Sequence, residues 1–250
     1  MLLAIDVGNT QIVIGLYDEA EIVDHWRLAT VHDRTSDEYA VLLRQLIGAA
    51  PLDGVAISSV VPRATMALRE MVRRYFTLEP VVVEPGTRTG MPILTDNPRE
   101  VGADRIVNAI GAYDLYGGPT IVVDFGTATT LDAVSAAGEY LGGAILPGIE
   151  ISMDALFARA DRLSRVELVE PRNVIGKNTI ESLQAGAIYG FAGQVDGIVR
   201  RMEQELGECT VVATGGLGPL IARFAASIQQ LDPWLTLHGL RIVYTRNTPQ

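Results

Sequence analysis

Two short stretches pair a carboxylate with a glycine turn at the end of an apolar run. Asp6-Val7-Gly8-Asn9-Thr10 follows the apolar residues 2–5, and Asp124-Phe125-Gly126-Thr127-Ala128-Thr129-Thr130 follows the apolar residues 121–123. Glycine at such a turn lets the backbone fold tightly and lets a ligand approach without a Cβ in the way. The free amides of the turn, with the Asn9 and Thr10 side chains, are donors suited to phosphate oxygens. Asp6, at a strand end, is placed to hold a hydrated magnesium ion, which binds few carboxylates and keeps several waters. Taken alone, the first loop reads more readily as an ordinary polar hairpin. The second is harder to dismiss, because three threonines cluster beside its glycine. Two such loops facing each other across a cleft would grip one polyphosphate from both sides.

Two further segments carry residues of the same kind. Thr214-Gly215-Gly216-Leu217-Gly218 sets glycines between an expected strand and an expected helix. A helix N-terminus offers free amides and positive potential to a nucleotide; a plain glycine turn is an equal reading. Gly102-Ala103-Asp104-Arg105 falls at or near a helix start. There Asp104 could simply favour the helix dipole, with Arg105 as its solvated neighbour.

The elements that must position these loops repeat. Residues 2–5, 12–17 and 21–28 are expected as three strands with tight connections. A helix over 36–47 follows, with Ser36 as its N-cap, then a strand at 55–59, a helix at 64–75 and a short strand at 81–83. Residues 120–123, 129–134 and 140–145 repeat the three-strand meander. After it come a helix from about residue 150, a longer one over 180–206, a strand at 211–213 and a helix through 226. The Pro-, Gly-, Thr- and Asn-rich residues 85–100 form the crossover. Leu3-Ala4-Ile5-Asp6-Val7-Gly8-Asn9-Thr10 aligns with Ile121-Val122-Val123-Asp124-Phe125-Gly126-Thr127-Ala128. Self-similarity at so long a period points to two related α/β domains, expected at 1–116 and 117–250, and not to a solenoid.

Composition removes several function classes. The 250 residues are 48% hydrophobic and 20% charged, which is core-forming and excludes bulk disorder. Thirty acidic against twenty basic side chains leave a net charge of −10, which disfavours a nucleic-acid partner. The single cysteine, Cys209, has no internal disulfide partner and is expected at the start of a buried strand. His25, His32 and His238 show no metal-ligand spacing. Ile175-Gly176-Lys177-Asn178 breaks the phosphate-binding-loop rule at its last position, and no G-x-G-x-x-G follows the first strand. The residues before Asp6 lack the basic segment of a signal peptide, and no apolar run approaches the roughly 20 residues that span a bilayer. A cytoplasmic protein without a membrane partner is the expectation.

Taken together, Asp6-Val7-Gly8-Asn9-Thr10, Gly102-Ala103-Asp104-Arg105 and Asp124-Phe125-Gly126-Thr127-Ala128-Thr129-Thr130 resemble, in order and spacing, the three motifs of type III pantothenate kinases. The likeness extends through Gly176-Lys177-Asn178-Thr179 and Ala213-Thr214-Gly215-Gly216. It implies a fold of two duplicated ribonuclease-H-like domains, as in the actin-like ATPases and the acetate and sugar kinases, facing across a nucleotide cleft. It implies ATP-dependent phosphorylation of pantothenate to 4'-phosphopantothenate, the first step of coenzyme A biosynthesis, with Mg2+ and a monovalent cation, K+ or NH4+, in a homodimer. By position, Asp6, Val7, Gly8, Asn9, Thr10, Gln11, Ile12, Val13 and Thr127 would bind nucleotide, and Asp124 the monovalent cation. Gly102, Ala103, Asp104, Arg105 and Thr179 would bind pantothenate, Thr179 across the dimer interface, and Asp104 would be the proton acceptor. Thr95 departs from the pattern, since similar kinases often carry Tyr there. Another small-molecule kinase of the superfamily, or a non-catalytic regulator, is the alternative.

Overall fold

The computed structural model describes residues 1–160 and 162–248, which form two compact units. The first contains residues 1–92, residues 96–111 and the stretch from Trp234 on; the second contains residues 93–95 and 112–233.

In the first unit β1 (Leu2–Val7), β2 (Gln11–Asp18) and β3 (Glu21–Ala29) form an antiparallel meander. α1 (Ser36–Ile47) then leads to β4 (Gly54–Ser59), and α2 (Pro62–Met71) leads to β5 (Val81–Val82). β4 runs parallel to β1 and β5 parallel to β4, so the strand order is β3-β2-β1-β4-β5. Alternation along β1 sends Leu3, Ile5 and Val7 into a core with Leu43 of α1 and Leu68 of α2. The other face carries Ala4, Asp6, Ala56 and Ser58.

α3 (Ala103–Tyr116) begins in the first unit and ends in the second. In the second unit β6 (Thr120–Phe125), β7 (Ala128–Val134) and β8 (Tyr140–Pro147) repeat the meander. α4 (Ile149–Arg159) and α5 (Thr179–Leu206) precede β9 (Thr210–Thr214); α6 (Gly218–Ile221) precedes β10 (Gln230–Leu231). The order β8-β7-β6-β9-β10 matches that of the first sheet strand for strand, with β9 parallel to β6 and β10 parallel to β9. The duplication reaches fine detail. The β2–β3 ladder slips between Leu16 and Tyr17, and the β7–β8 ladder slips between Ala133 and Val134. Once the one-residue difference in the preceding loops is allowed for, the two slips fall at the same place.

α7 (Leu235–Asn247), which the sequence left unread, packs on β1, β4 and β5 of the first sheet. Its Gly239 meets α3 at close range. A Cβ there would overlap the Val107 carbonyl, and one on Gly111 would lie 2.7 Å from the Leu235 carbonyl. Thr236 Oγ1 donates to Asn108 Oδ1 at 2.6 Å, which satisfies an amide buried in the middle of α3.

Two local expectations are corrected. The N-cap of α1 is Thr35, not Ser36: Thr35 Oγ1 accepts from the Glu38 amide while the Glu38 carboxylate accepts from the Thr35 amide. This reciprocal pairing needs Glu three residues after the cap, which only Thr35 has. The helix expected through 226 stops early, as the four residues of α6 and a 3-10 turn at Ala222–Phe224. The Ala226 and Ser227 amides instead donate to the Asp196 carboxylate of α5, at 3.1 and 2.9 Å. Cys209 is buried one residue before β9. Among the described residues there is no His, Cys, Asp or Glu group of three or more that could hold a metal, and no helix long and apolar enough to cross a membrane.

Candidate active site

The first loop joins β1 to β2 with the Gly8 amide donating to the Gln11 carbonyl at 3.0 Å. Asn9, Thr10 and Gln11 are exposed, Gly8 and Val13 half-buried, and Val7 and Ile12 buried as a ladder pair. Only part of the predicted run 6–13 is therefore presented to a ligand by its side chains. Thr30, the residue after β3, pins the loop from behind, its Oγ1 donating to the Gly8 carbonyl at 2.7 Å. Asp6 lies between Val13 on β2 and Ser58 on β4. Ser58 Oγ is buried with no hydrogen-bond partner among the described residues. A carboxylate flanked by a buried hydroxyl fits a hydrated divalent ion carried by a nucleotide.

The Gly102 segment belongs to the same unit. Val60 links the two places: its amide donates to the Val7 carbonyl at 3.1 Å, and its Cγ1 would lie 3.7 Å from a Cβ on Gly102. Gly102 caps α3, since its carbonyl accepts the Ile106 amide at 3.2 Å. Asp104 is thus in the first turn of a helix whose next turns are wholly buried. Its Oδ1 accepts the Arg105 amide at 2.8 Å. The same oxygen fills the space beside Gly102 that any Cβ would occupy. Asp104 and Arg105 are both half-buried, so the carboxylate is held by backbone yet reachable.

In the second unit the β6–β7 loop is one residue shorter, with the Gly126 amide donating to the Ala128 carbonyl at 3.0 Å. Thr127 is exposed, Thr129 is buried on the core face, and Thr130 is half-buried. The loop backs onto the start of α4: the Gly148 amide donates to the Thr127 carbonyl at 3.1 Å, and a Cβ on Gly148 would overlap that oxygen. Asp124 stands between Thr130 on β7 and Thr214 on β9. Gly215, at φ +88°, passes over it where a Cβ would overlap Asp124 Oδ1 and lie 2.6 Å from the Phe125 amide. One carboxylate between two hydroxyl-bearing residues is an oxygen-only donor set, which fits a hard cation. Thr130 and Thr214 enter this row through strand register.

Thr179 is exposed at the first position of α5. Asn178 caps the helix by accepting the Glu181 amide at 2.9 Å, and no described hydrogen bond joins Thr179 to the Asp124 loop. Thr95 is half-buried, its Oγ1 is without a hydrogen-bond partner among the described residues, and its Cγ2 lies 3.7 Å from the place of a Cβ on Gly142.

The family model for type III pantothenate kinase matches residues 2–201. A type III pantothenate kinase from Streptomyces avermitilis is 59% identical over 261 residues, covering 99% of this chain and 98% of that protein. Among solved structures, a Campylobacter jejuni protein assigned provisionally to the Baf family of transcriptional activators covers 98% of each chain at 20% identity, with a TM-score of 0.63. An inorganic polyphosphate/ATP-glucomannokinase from Arthrobacter sp. strain KM covers 98% of each chain at 11% identity, with a TM-score of 0.53. At these identities the two structures attest the fold alone, that of duplicated α/β domains found in actin-like ATPases and sugar kinases. The sequence match over nearly the whole chain decides the family: this chain belongs to the type III pantothenate kinases.

Proposed function

We propose that this chain transfers the γ-phosphate of ATP to the primary hydroxyl of pantothenate, giving 4'-phosphopantothenate and ADP at the first step of coenzyme A biosynthesis. The observation that carries the reading is the Asp104 carboxylate, seated over Gly102 and anchored by the Arg105 amide. Phosphoryl transfer depends chiefly on positioning and charge stabilisation. A hydroxyl is a poor nucleophile, and a fixed carboxylate can take its proton as the new oxygen–phosphorus bond forms. Asp104 is that base. Arg105 orients it or pairs with the anionic substrate.

Residues 6–13 bind the nucleotide phosphates through the turn at Gly8, Asn9 and Thr10, and Thr127 adds a contact from the β6–β7 loop. Asp6 holds the water shell of the divalent ion that accompanies ATP, and Asp124 binds potassium or ammonium. These cations offset the negative charge gathered at the phosphates. Gly102, Ala103, Asp104 and Arg105 contact pantothenate. The enzyme works as a cytoplasmic homodimer in which Thr179 reaches the neighbouring subunit's substrate.

ADP release, followed by a coupled assay with and without pantothenate and with potassium replaced by Tris, tests the reading. Turnover that needs both pantothenate and potassium is expected. ATP hydrolysis indifferent to pantothenate would overturn the substrate assignment, and equal rates in the two buffers would overturn the cation role of Asp124.

A further inference from the structure

Asp132 is fully buried in β7, where a carboxylate is costly unless its oxygens are satisfied. Both are: Tyr140 Oη donates to Oδ1 at 2.6 Å and Thr130 Oγ1 donates to Oδ2 at 3.0 Å. The strand period of two puts Thr130 and Asp132 on one face, the face that carries Asp124. Thr130 is directly opposite Asp124 across the β6–β7 ladder. Such opposed residues have Cβ atoms about 4.5–5.5 Å apart.

A threonine hydroxyl has one hydrogen and two lone pairs. Thr130 directs its hydrogen at Asp132, so only lone pairs remain for whatever binds beside Asp124. That is the wrong polarity for a phosphate oxygen and the right one for a cation. The duplicated fold supplies an internal control. Counting along the matched ladders, Val13 of the first unit stands where Thr130 stands, and Gly15 where Asp132 stands. On the β2 side of Asp6 there is thus neither a counterpart of the Thr130 hydroxyl nor one of the buried carboxylate that orients it.

We infer that the Asp132–Tyr140 pair is a positioning device that makes Thr130 Oγ1 a ligand, with Asp124, for the monovalent cation. The inference rests on the cation reading of Asp124 given above. It gives Thr130 a different part from Thr127, which is exposed in the loop and proposed to contact phosphate. Asp132 acts only through Thr130 and touches no substrate.

Calorimetry of an ATP analogue binding with magnesium tests it without turnover, across a potassium series with ionic strength held by tetramethylammonium. In the wild-type protein nucleotide affinity should rise with potassium to a plateau. Thr130→Val installs the residue that the first unit carries, and Asp132→Asn keeps shape while offering an amide donor to Oγ1. Each should raise the potassium concentration at half effect by roughly 10–100-fold, as loss of a ligand or its support does. Each should leave the plateau affinity near the wild-type value, and Thr130→Ser should restore the midpoint. If Asp132→Asn does not fold, Tyr140→Phe takes its place, with a smaller shift in the same direction. A wild-type response with unchanged midpoints in Thr130→Val overturns the inference alone. A shift in Thr130→Val but in neither Asp132→Asn nor Tyr140→Phe overturns the positioning role. Wild-type affinity blind to potassium overturns the cation reading of Asp124, and this inference with it.

Discussion

Gly102 leaves vacant the space that Asp104 Oδ1 fills; a Cβ at residue 102 would overlap that oxygen. Glycine is required here by a neighbouring side chain and not by its backbone angles. Gly102→Ala should therefore push the carboxylate aside while leaving the helix start intact. Misplacing a catalytic group by about 1 Å can cost on the order of 10²-fold in rate. The expected result is a fall of that size in kcat with a melting temperature close to wild type, measured by steady-state kinetics and thermal unfolding.

The crossing of α3 and α7 should be far less tolerant. Gly239→Ala drives a methyl into the Val107 carbonyl, where neither backbone can yield without moving a helix. Overpacking of this kind costs about 1–3 kcal/mol, and backbone-on-backbone overlap belongs at the upper end. A large drop in denaturation midpoint is expected, with α3 displaced and turnover lost alongside stability.

Cys209 should behave as a packed side chain. Burial, with Glu203 contributing less, pushes its thiol above the ordinary value. A raised value means the folded chain holds the proton more tightly than the unfolded one. Its contribution to stability is complete below the ordinary thiol pKa and is lost as pH rises through the folded value. A thiol-specific colorimetric reagent at pH 8 should label the native protein only at the rate of its opening, and label it promptly in denaturant. Prompt labelling of native protein would contradict the burial assigned to this residue.

Much of this architecture is legible in the sequence, for physical reasons that differ from place to place. The apolar runs before Asp6 and Asp124 announce strands because both faces of β1 and β6 are covered. The repeated Asp-x-Gly signals the duplication because the same ladder, down to its bulge, is built twice. α7 is hidden because Gly239 lies inside it, in its second turn, and glycine weakens a helix interior by about 1 kcal/mol relative to alanine. The gain that offsets this comes from close approach to Val107 and Gly111 of α3, over a hundred residues away. The row Thr214–Asp124–Thr130 needs strand pairing to become visible. Part of it was within reach, since an aspartate two residues after Thr130, between the apolar Leu131 and Ala133, shares its face. The partner that neutralises the cost of Asp132, Tyr140, lies beyond a turn that spacing alone does not register.

Asp104→Asn, measured as kcat for pantothenate phosphorylation at saturating ATP and potassium, tests most directly whether Asp104 is the base. The asparagine keeps the size of the side chain and its ability to accept the Arg105 amide. It removes the basicity. If Asp104 takes the hydroxyl proton, kcat should fall roughly 10²–10⁴-fold. KM, the melting temperature and nucleotide affinity should change little, because proton acceptance matters in the transition state more than in the ground state. A variant with near-normal kcat would contradict the account: the proton would then leave by another route, and Asp104 would be left with about 0.3–1 kcal/mol of helix stabilisation, the worth of a carboxylate at a helix start.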